Sequence, residues 1–78
     1  MKKPAKEDLE KVKKVGLVIK TLRIKQGWTQ FELAEKAGIP DYKVVGFIEQ
    51  AATSPSLRTL IKIAKALKVP VSKLVDDI

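Results

Sequence analysis

The sequence predicts an all-α fold, a compact bundle of five helices. Three observations indicate it: apolar residues recur at spacings of three and four, no segment has the pattern of a strand, and capping residues, glycines and prolines separate the periodic segments. The 78 residues have room for one helical domain, expected at residues 7–78 after a flexible basic arm at residues 1–6. We expect helices at about residues 7–26, 30–37, 42–50, 57–67 and 71–77.

The first helix is predicted from a stripe of apolar side chains that should face the core. It should end at Gly27, because glycine adopts the left-handed conformation of a helix end at low steric cost. Gly16 is expected to weaken the helix locally. The stripe consists of Leu9, Val12, Val15, Ile19 and Leu22.

The second helix has a well-defined start and end. Thr29 and Glu32 have the spacing of a capping box, in which each side chain bonds the backbone N–H of the other residue. Trp28 and Leu33 can form a hydrophobic staple across the same turn. Gly38 should end the helix in the left-handed conformation.

The third helix should follow after a tight turn. Ile39 can plug this turn into the core, Pro40 suits a helix start but cannot continue the second helix, and Asp41 is a favourable N-cap. Two short amphipathic helices joined by a glycine turn have the outline of a helix-turn-helix, which places its second helix in the major groove of DNA.

The fourth and fifth helices complete the bundle. Ser56 is the expected N-cap of the fourth helix, and Pro70 should separate it from a short fifth helix. The side chains of the fourth helix expected to face the core are Leu57, Leu60, Ile61, Ala64 and Leu67.

The residue inventory excludes several kinds of site. Without cysteine or histidine, the chain has no disulfide, no thiolate or imidazole metal ligand, and no Ser-His or Cys-His catalytic pair. Its carboxylates and lysines have no spacing that assembles an active site, so we expect no enzyme, no metal and no cofactor. The apolar runs are far shorter than the ~20 residues that cross a bilayer, and no signal peptide is apparent. A cytoplasmic protein without a membrane partner is expected.

The net charge of +7 suggests a polyanionic partner, and the charge is unevenly distributed. Residues 1–25 carry nine basic and three acidic side chains, a net +6, whereas residues 26–55 have a net charge of −2 and residues 56–78 a net charge of +3. The predicted helix-turn-helix is therefore slightly acidic. The basic arm, with Lys2, Lys3 and Lys6, would add affinity for nucleic acid through counterion release.

The order LVIKTLRIKQGWTQFELAEKAGI, then FIE, then SPSLRTLIKIAKALKV, resembles the Cro and phage-repressor type of helix-turn-helix, the XRE family. The resemblance extends from about Val15 to Val75 and implies a lambda-repressor-like DNA-binding domain, with the helix-turn-helix at the second and third helices. The short length, the first helix and the small residue Gly46 are also similar to the controller proteins of restriction-modification systems.

The resemblance implies roles for three residues. Arg23 should pair with Glu49 and tie the first helix to the third, which is a structural role. Gln30, at the start of the second helix, should contact a DNA phosphate, where free N–H groups and the helix dipole favour an anion; the alternative is an ordinary exposed glutamine. The residues we expect to contact DNA are Thr29, Gln30, Tyr42, Lys43, Val44, Phe47, Gln50, Thr53 and Ser54.

The third helix departs from the family pattern, because ten residues separate Gly38 from Glu49 where the family usually has nine. If the turn at Pro40 absorbs the additional residue, Val45 and Ile48 are buried. The outward face then carries Tyr42, Lys43, Val44 and Phe47. We prefer this register because it preserves the position of Ile48 beside Glu49. The competing register exposes Val45 and buries the set Val44, Phe47 and Ile48.

The outward face of the third helix has few groups for recognising bases. Lys43 supplies the single Arg, Lys, Asn or Gln side chain among its four residues, Tyr42 can bond a phosphate or a base edge, and Val44 and Phe47 can contact thymine methyls. With Phe31 on the second helix, the exposed aromatic residues could instead form a patch that binds a protein. A third possibility is that Phe47 folds back onto Phe31 and is mostly core.

Two functions follow as hypotheses. The first is a sequence-specific transcriptional regulator, a repressor or autoregulator, that binds a near-palindromic operator in double-stranded DNA as a homodimer. The alternative is a protein-binding module, an antitoxin or adaptor, that uses the patch of Phe31, Tyr42 and Phe47. The dimer interface is expected at apolar residues near the end of the chain, unless these close the core instead. They are Val69, Val71, Leu74 and Ile78.

Overall fold

A computed structural model describes the backbone of residues 6–75 and the side chains of residues 9–75. This part of the chain contains no strand, and the all-α prediction is confirmed. Its helices are α1 (Lys6–Lys25), α2 (Gln30–Ala37), α3 (Lys43–Glu49), α4 (Leu57–Leu67) and α5 (Val71–Val75). α1 begins at the last residue of the predicted basic arm. The rest of the arm, with Lys2 and Lys3, and the predicted end of the fifth helix lie outside the described residues.

The five helices surround one apolar core. α3 packs against α1 and α2, α4 packs against α2, and α5 packs against both α1 and α4. The predicted stripe of α1 is buried at its centre and half-buried at its two ends, Leu9 and Leu22. The core cluster comprises Val15, Ile19, Leu33, Ala34, Ala37, Ile39, Val45, Ile48, Ile63, Ala64, Leu67 and Leu74.

Gly16 lies where α1 approaches the end of α3. A β-carbon at this position would overlap the carbonyl oxygen of Ile48 and lie 3.1 Å from that of Glu49. The sequence suggests only a local weakening of α1 at this glycine. The structure adds a packing role, because the missing side chain lets the backbones of the two helices come together.

The buried face of α4 differs from the predicted one. Leu57 and Ile61 are 66% and 38% exposed, whereas Ile63, which was not among the predicted core residues, is fully buried. The apolar residues of α4 cover more of its circumference than its neighbours can bury, so the tertiary contacts select which of them become core.

Among the helices of residues 6–75, none combines the length and the apolar character needed to cross a membrane.

Candidate nucleic-acid interface

The start of α2 is held by the predicted capping box. Thr29 Oγ1 accepts a hydrogen bond from the Glu32 amide at 3.0 Å, and Glu32 Oε1 accepts one from the Thr29 amide at 2.9 Å. The bonds from the Thr29 backbone and hydroxyl to Glu32 lower the pKa of this carboxyl, because they favour its charged form. At the other end, Gly38 has φ 71°, the left-handed conformation expected of it.

Behind the start of α2, one carboxylate joins three helices. Glu49 accepts hydrogen bonds from Arg23 Nε at 2.7 Å and from Arg23 Nη2 at 3.1 Å. The expected ion pair between α1 and α3 is therefore present, with side chains that are 11% and 2% exposed. Arg23 Nη1 also donates to the carbonyl oxygen of Trp28 at 2.6 Å, just before the cap of α2.

The same carboxylate also accepts a hydrogen bond from Gln30, which no sequence pattern predicts. Gln30 Nε2 donates to Glu49 Oε1 at 3.1 Å, so the side chain at the start of α2 is tied to the end of α3. α3 passes close to this amide at a small residue: a β-carbon at Gly46 would lie 3.1 Å from Gln30 Oε1. The sequence indicates a role for Gln30 and for Glu49 separately. Because the two residues are 19 positions apart, no local pattern predicts that their side chains are bonded to each other.

α3 begins one residue later than predicted and has the preferred register. Asp41 Oδ1 accepts a hydrogen bond from the Lys43 amide at 3.0 Å, which satisfies one N–H group of the first turn. Val45 and Ile48 are 0% and 1% exposed, so the competing register, which exposes Val45, is wrong. The outward face carries the exposed residues Tyr42, Lys43 and Phe47 and the half-buried Val44.

The loop after α3 contributes less to the surface than expected. Gln50 and Ser54 are exposed, but Thr53 is only 6% exposed. The expected place of Thr53 at the DNA surface is therefore wrong: its side chain is buried and lines a cleft of about 250 Å³ between α3 and the start of α4. The cleft is lined by Val44, Phe47, Ile48, Thr53, Ser54, Pro55, Ser56 and Thr59.

The aromatic side chains of Phe31, Tyr42 and Phe47 do not form one patch. Phe31 packs edge-to-face against Tyr42, with ring centroids 5.9 Å apart and an interplanar angle of 64°. Phe47 is 45% exposed and lines a different cleft, the one between α3 and the start of α4. The alternative in which Phe47 folds back onto Phe31 as core is therefore wrong.

The predicted dimer surface is reduced by the tertiary structure. Leu74 is 1% exposed and belongs to the core, because α5 packs it between α1 and α4. Its assignment to a dimer interface is wrong. Val69 and Val71 are half-buried against the core, and Ile78 lies outside the described residues.

No set of three or more acidic side chains within the described residues could hold a metal ion.

The described geometry consists of a capped α2, a glycine turn and α3. The inward side of α3 is packed against the core, and its outward side is exposed to solvent. A family model described as helix-turn-helix matches residues 19–74.

The chain belongs to the XRE-type helix-turn-helix family. It is 40% identical over 62 residues to the HTH-type transcriptional regulator SutR of Escherichia coli, a match that covers 80% of this chain and 34% of SutR. It is 35% identical over 63 residues to the HTH-type transcriptional regulator SinR of Bacillus subtilis, covering 81% of this chain and 57% of SinR. The chain thus spans about a third of the length of SutR and somewhat over half of the length of SinR.

A third relative is of similar length. An uncharacterized HTH-type transcriptional regulator of Archaeoglobus fulgidus is 39% identical over 56 residues, which cover 72% of this chain and 79% of the relative. These relatives are transcriptional regulators by name, which agrees with the expectation that the chain is not an enzyme.

Two solved structures have the same fold. The restriction-modification controller protein C.AhdI from Aeromonas hydrophila superposes with a TM-score of 0.77 at 32% identity, covering 81% of this chain and 94% of that one. The hypothetical transcription factor NHTF from Neisseria superposes with a TM-score of 0.76 at 29% identity, covering 96% and 83%. The likeness to controller proteins noted in the sequence therefore extends to the fold.

Proposed function

We propose that this chain binds double-stranded DNA and regulates transcription, as a homodimer on a near-palindromic operator. The observation that carries the proposal is the arrangement of α2 and α3. Val45 and Ile48 anchor α3 to the core, so that its opposite face, with Lys43 and Phe47, is open to a partner beside the exposed start of α2. A helix presented in this way fits the major groove.

Base contacts would come from the outward face of α3. Lys43 can donate to guanine O6 or N7, and Tyr42 can bond a base edge or a phosphate. Phe47 and the exposed part of Val44 can contact thymine methyl groups. This face has one cationic side chain, so the expected sequence preference is modest and includes a component from DNA shape.

Backbone contacts would position α3 in the groove. Gln30 uses one Nε2 hydrogen for Glu49, which leaves the second hydrogen for a phosphate oxygen near the N-terminus of α2. Thr29, Gln50 and Ser54 are exposed around the same face and can add further phosphate contacts. The lysines at residues 2, 3 and 6 would supply additional, salt-sensitive affinity.

The homodimer follows from the need to contact two half-sites one helical turn apart. Exposed apolar side chains support self-association: Leu57 and Ile61, one turn apart on α4, are 66% and 38% exposed. With Leu74 assigned to the core, the interface we propose uses the exposed parts of Val69 and Val71, with Ile78, and extends toward α4. Sedimentation of the purified chain over a range of concentrations tests this part of the proposal.

The main test is selection of bound duplexes from a random pool at two salt concentrations. We expect enrichment of a near-palindromic sequence, with affinity that falls steeply as salt rises. Enrichment of a single, non-symmetric half-site would reject the dimer and keep the DNA-binding function. No retention of any duplex at low salt would reject the DNA-binding function itself.

A further inference from the structure

A cleft between α2 and the turn leading to α3 is lined mainly by residues that the proposed DNA contacts do not use. It has a volume of about 230 Å³ and shares no lining residue with the Phe47 cleft. Its lining combines aromatic rings, small apolar groups and one carboxylate: Phe31, Ala34, Glu35, Ile39, Pro40 and Tyr42.

Two aromatic rings form the walls of this cleft and remain accessible. Phe31 is 58% exposed and Tyr42 46% exposed, although the rings are in edge-to-face contact. Ile39, by contrast, is only 9% exposed and closes the floor with Ala34. A partner that enters the cleft would therefore meet aromatic surface that the fold itself does not cover. The electron-rich faces of such rings attract cations.

The carboxylate of Glu35 is exposed and has no hydrogen-bond or ion-pair partner among residues 9–75, whose side chains the structure describes. The other nearby carboxylates are already engaged. Glu32 completes the capping box, Asp41 bonds the Lys43 amide, and Glu49 binds Arg23. Glu35 is thus the free anion of the cleft, within a segment that has a net charge of −2 in a chain of net charge +7.

We propose that this cleft binds an arginine side chain of a protein partner. A guanidinium group stacks on aromatic faces, is weakly hydrated, and can form two parallel hydrogen bonds with a carboxylate such as Glu35. The opening to solvent suits a side chain that stays attached to its own polypeptide. A DNA phosphate does not fit, because Glu35 would repel it.

Tyr42 lines this cleft and also lies on the face of α3 that we assign to DNA. A duplex on α3 and an arginine in the cleft would therefore compete for Tyr42. This consequence rests on the proposed DNA function, whereas the binding of arginine does not.

The test is an NMR titration of the ¹⁵N-labelled full chain with a blocked Gly-Arg-Gly peptide. We expect saturable shifts of the backbone amides of Phe31, Glu35 and Tyr42. The matched peptide with citrulline, which has the shape of arginine without its charge, should bind at least about threefold more weakly. Equal shifts with both peptides, or shifts confined to other helices, would overturn the proposal. Equal binding of a lysine peptide would overturn the assignment to arginine.

Two substitutions locate the binding site. Glu35→Gln and Phe31→Ala should each weaken the arginine peptide by about threefold. Glu35→Gln should keep its melting temperature because the side chain is exposed, and Phe31→Ala should stay folded with a slightly lower melting temperature, since it loses the edge-to-face contact with Tyr42. Glu10→Gln, the same change at an exposed position of α1, is the matched control and should have no effect. Unchanged affinity in Glu35→Gln would contradict the role of the carboxylate. The spectrum of the chain without peptide is also recorded over a range of protein concentrations. If the same amides shift on dilution, a second copy of the chain occupies the cleft, and the proposal that the arginine comes from a different protein is overturned.

Discussion

The inward and outward sides of the α2–α3 pair differ in how their polar groups are used. On the inward side, Glu49 accepts bonds from Arg23 and Gln30, and its side chain is 2% exposed. On the outward side, the side chains of Lys43 and Gln50 make no hydrogen bond or ion pair with other residues in the described part of the chain. The inward side fixes the geometry of the motif, and the outward side is free to contact a partner. Substitutions on the two sides should therefore change different properties.

The largest expected effect is at the inward carboxylate. Glu49→Ala should lower the free energy of unfolding by about 3–5 kcal/mol, because it leaves the Arg23 guanidinium partly buried without its counterion. Urea denaturation followed by circular dichroism measures this loss. Glu10→Ala, at an exposed position of α1, is the control and should change the free energy by less than about 0.5 kcal/mol. Similar small losses in both variants would show that the inward network contributes little.

Gly16→Ala tests the contact between α1 and α3 by the sign of its effect. Helix propensity alone predicts a gain in stability of about 0.5–1 kcal/mol. The overlap with the Ile48 carbonyl group predicts instead a loss of about 1–3 kcal/mol, because the two helices must move apart. The same denaturation measurement decides between them, and a gain would contradict the close approach of the backbones.

On the outward side, Lys43→Ala should leave the unfolding midpoint unchanged and weaken DNA binding about tenfold, with less discrimination between sequences. The slope of log affinity against log salt should also become shallower by about one if Lys43 contacts a phosphate. Lys20→Ala removes the same charge from an exposed position of α1, outside the proposed DNA and dimer contacts, and is the matched control. Equal losses of affinity in both variants would mean that only overall charge matters.

Thr29→Ala removes the hydroxyl half of the capping box and should cost about 1 kcal/mol of stability. Thr21→Ala, at an exposed position within α1, should cost nothing and serves as the control.

The same variant should change the titration of Glu32. Its lowered pKa means that the capping bonds stabilise the fold above the ordinary value of 4.5, and that this stabilisation is lost as the pH falls through the lowered pKa. Without the hydroxyl, the pKa should rise part of the way toward 4.5, since the bond from the residue 29 amide remains. NMR titration of the Glu32 side-chain carbonyl measures it, and an unchanged pKa would contradict the contribution of the hydroxyl.

The smallest expected change in stability is at the end of α4, which is not part of the α2–α3 pair. Lys68 ends α4 with φ 60°, a left-handed conformation that a β-carbon makes unfavourable. Lys68→Gly should therefore raise the free energy of unfolding by about 0.5 kcal/mol. Lys65→Gly, one turn earlier within α4, should lower it by about 1 kcal/mol. Loss of stability in both variants would show that the left-handed end of α4 is not strained.

Local chemistry predicts much of the helix-turn-helix. The capping box of Thr29 and Glu32, the left-handed Gly38 and the burial of Val45 and Ile48 depend on residues a few positions apart, or on the period of one helix. Such short-range constraints are present in the sequence pattern itself.

The errors share a different cause. The sequence predicts an exposed Thr53, an exposed Leu74 and a buried Ile61, and the structure shows the reverse in each case. A residue at the edge of a helix or in a loop is buried only if another element covers it, which local sequence does not reveal. Gly16 is a comparable case, since its role depends on the end of α3, more than thirty positions away. The edge-to-face contact of Phe31 with Tyr42 likewise depends on the path of the turn between them.

The all-α class, the order of the helices, the capped α2 with its glycine turn, and the resemblance to XRE-type regulators can all be derived from the residue pattern. These features rest on helix periodicity, capping chemistry and glycine conformation, which act within one or two turns of a helix. Three features depend instead on the packing of the helices: Gln30 bonds to Glu49, Leu74 is part of the core, and Phe31 and Tyr42 line a cleft with the free carboxylate of Glu35. These features require side chains from different helices to meet, and their meeting depends on how the whole core packs.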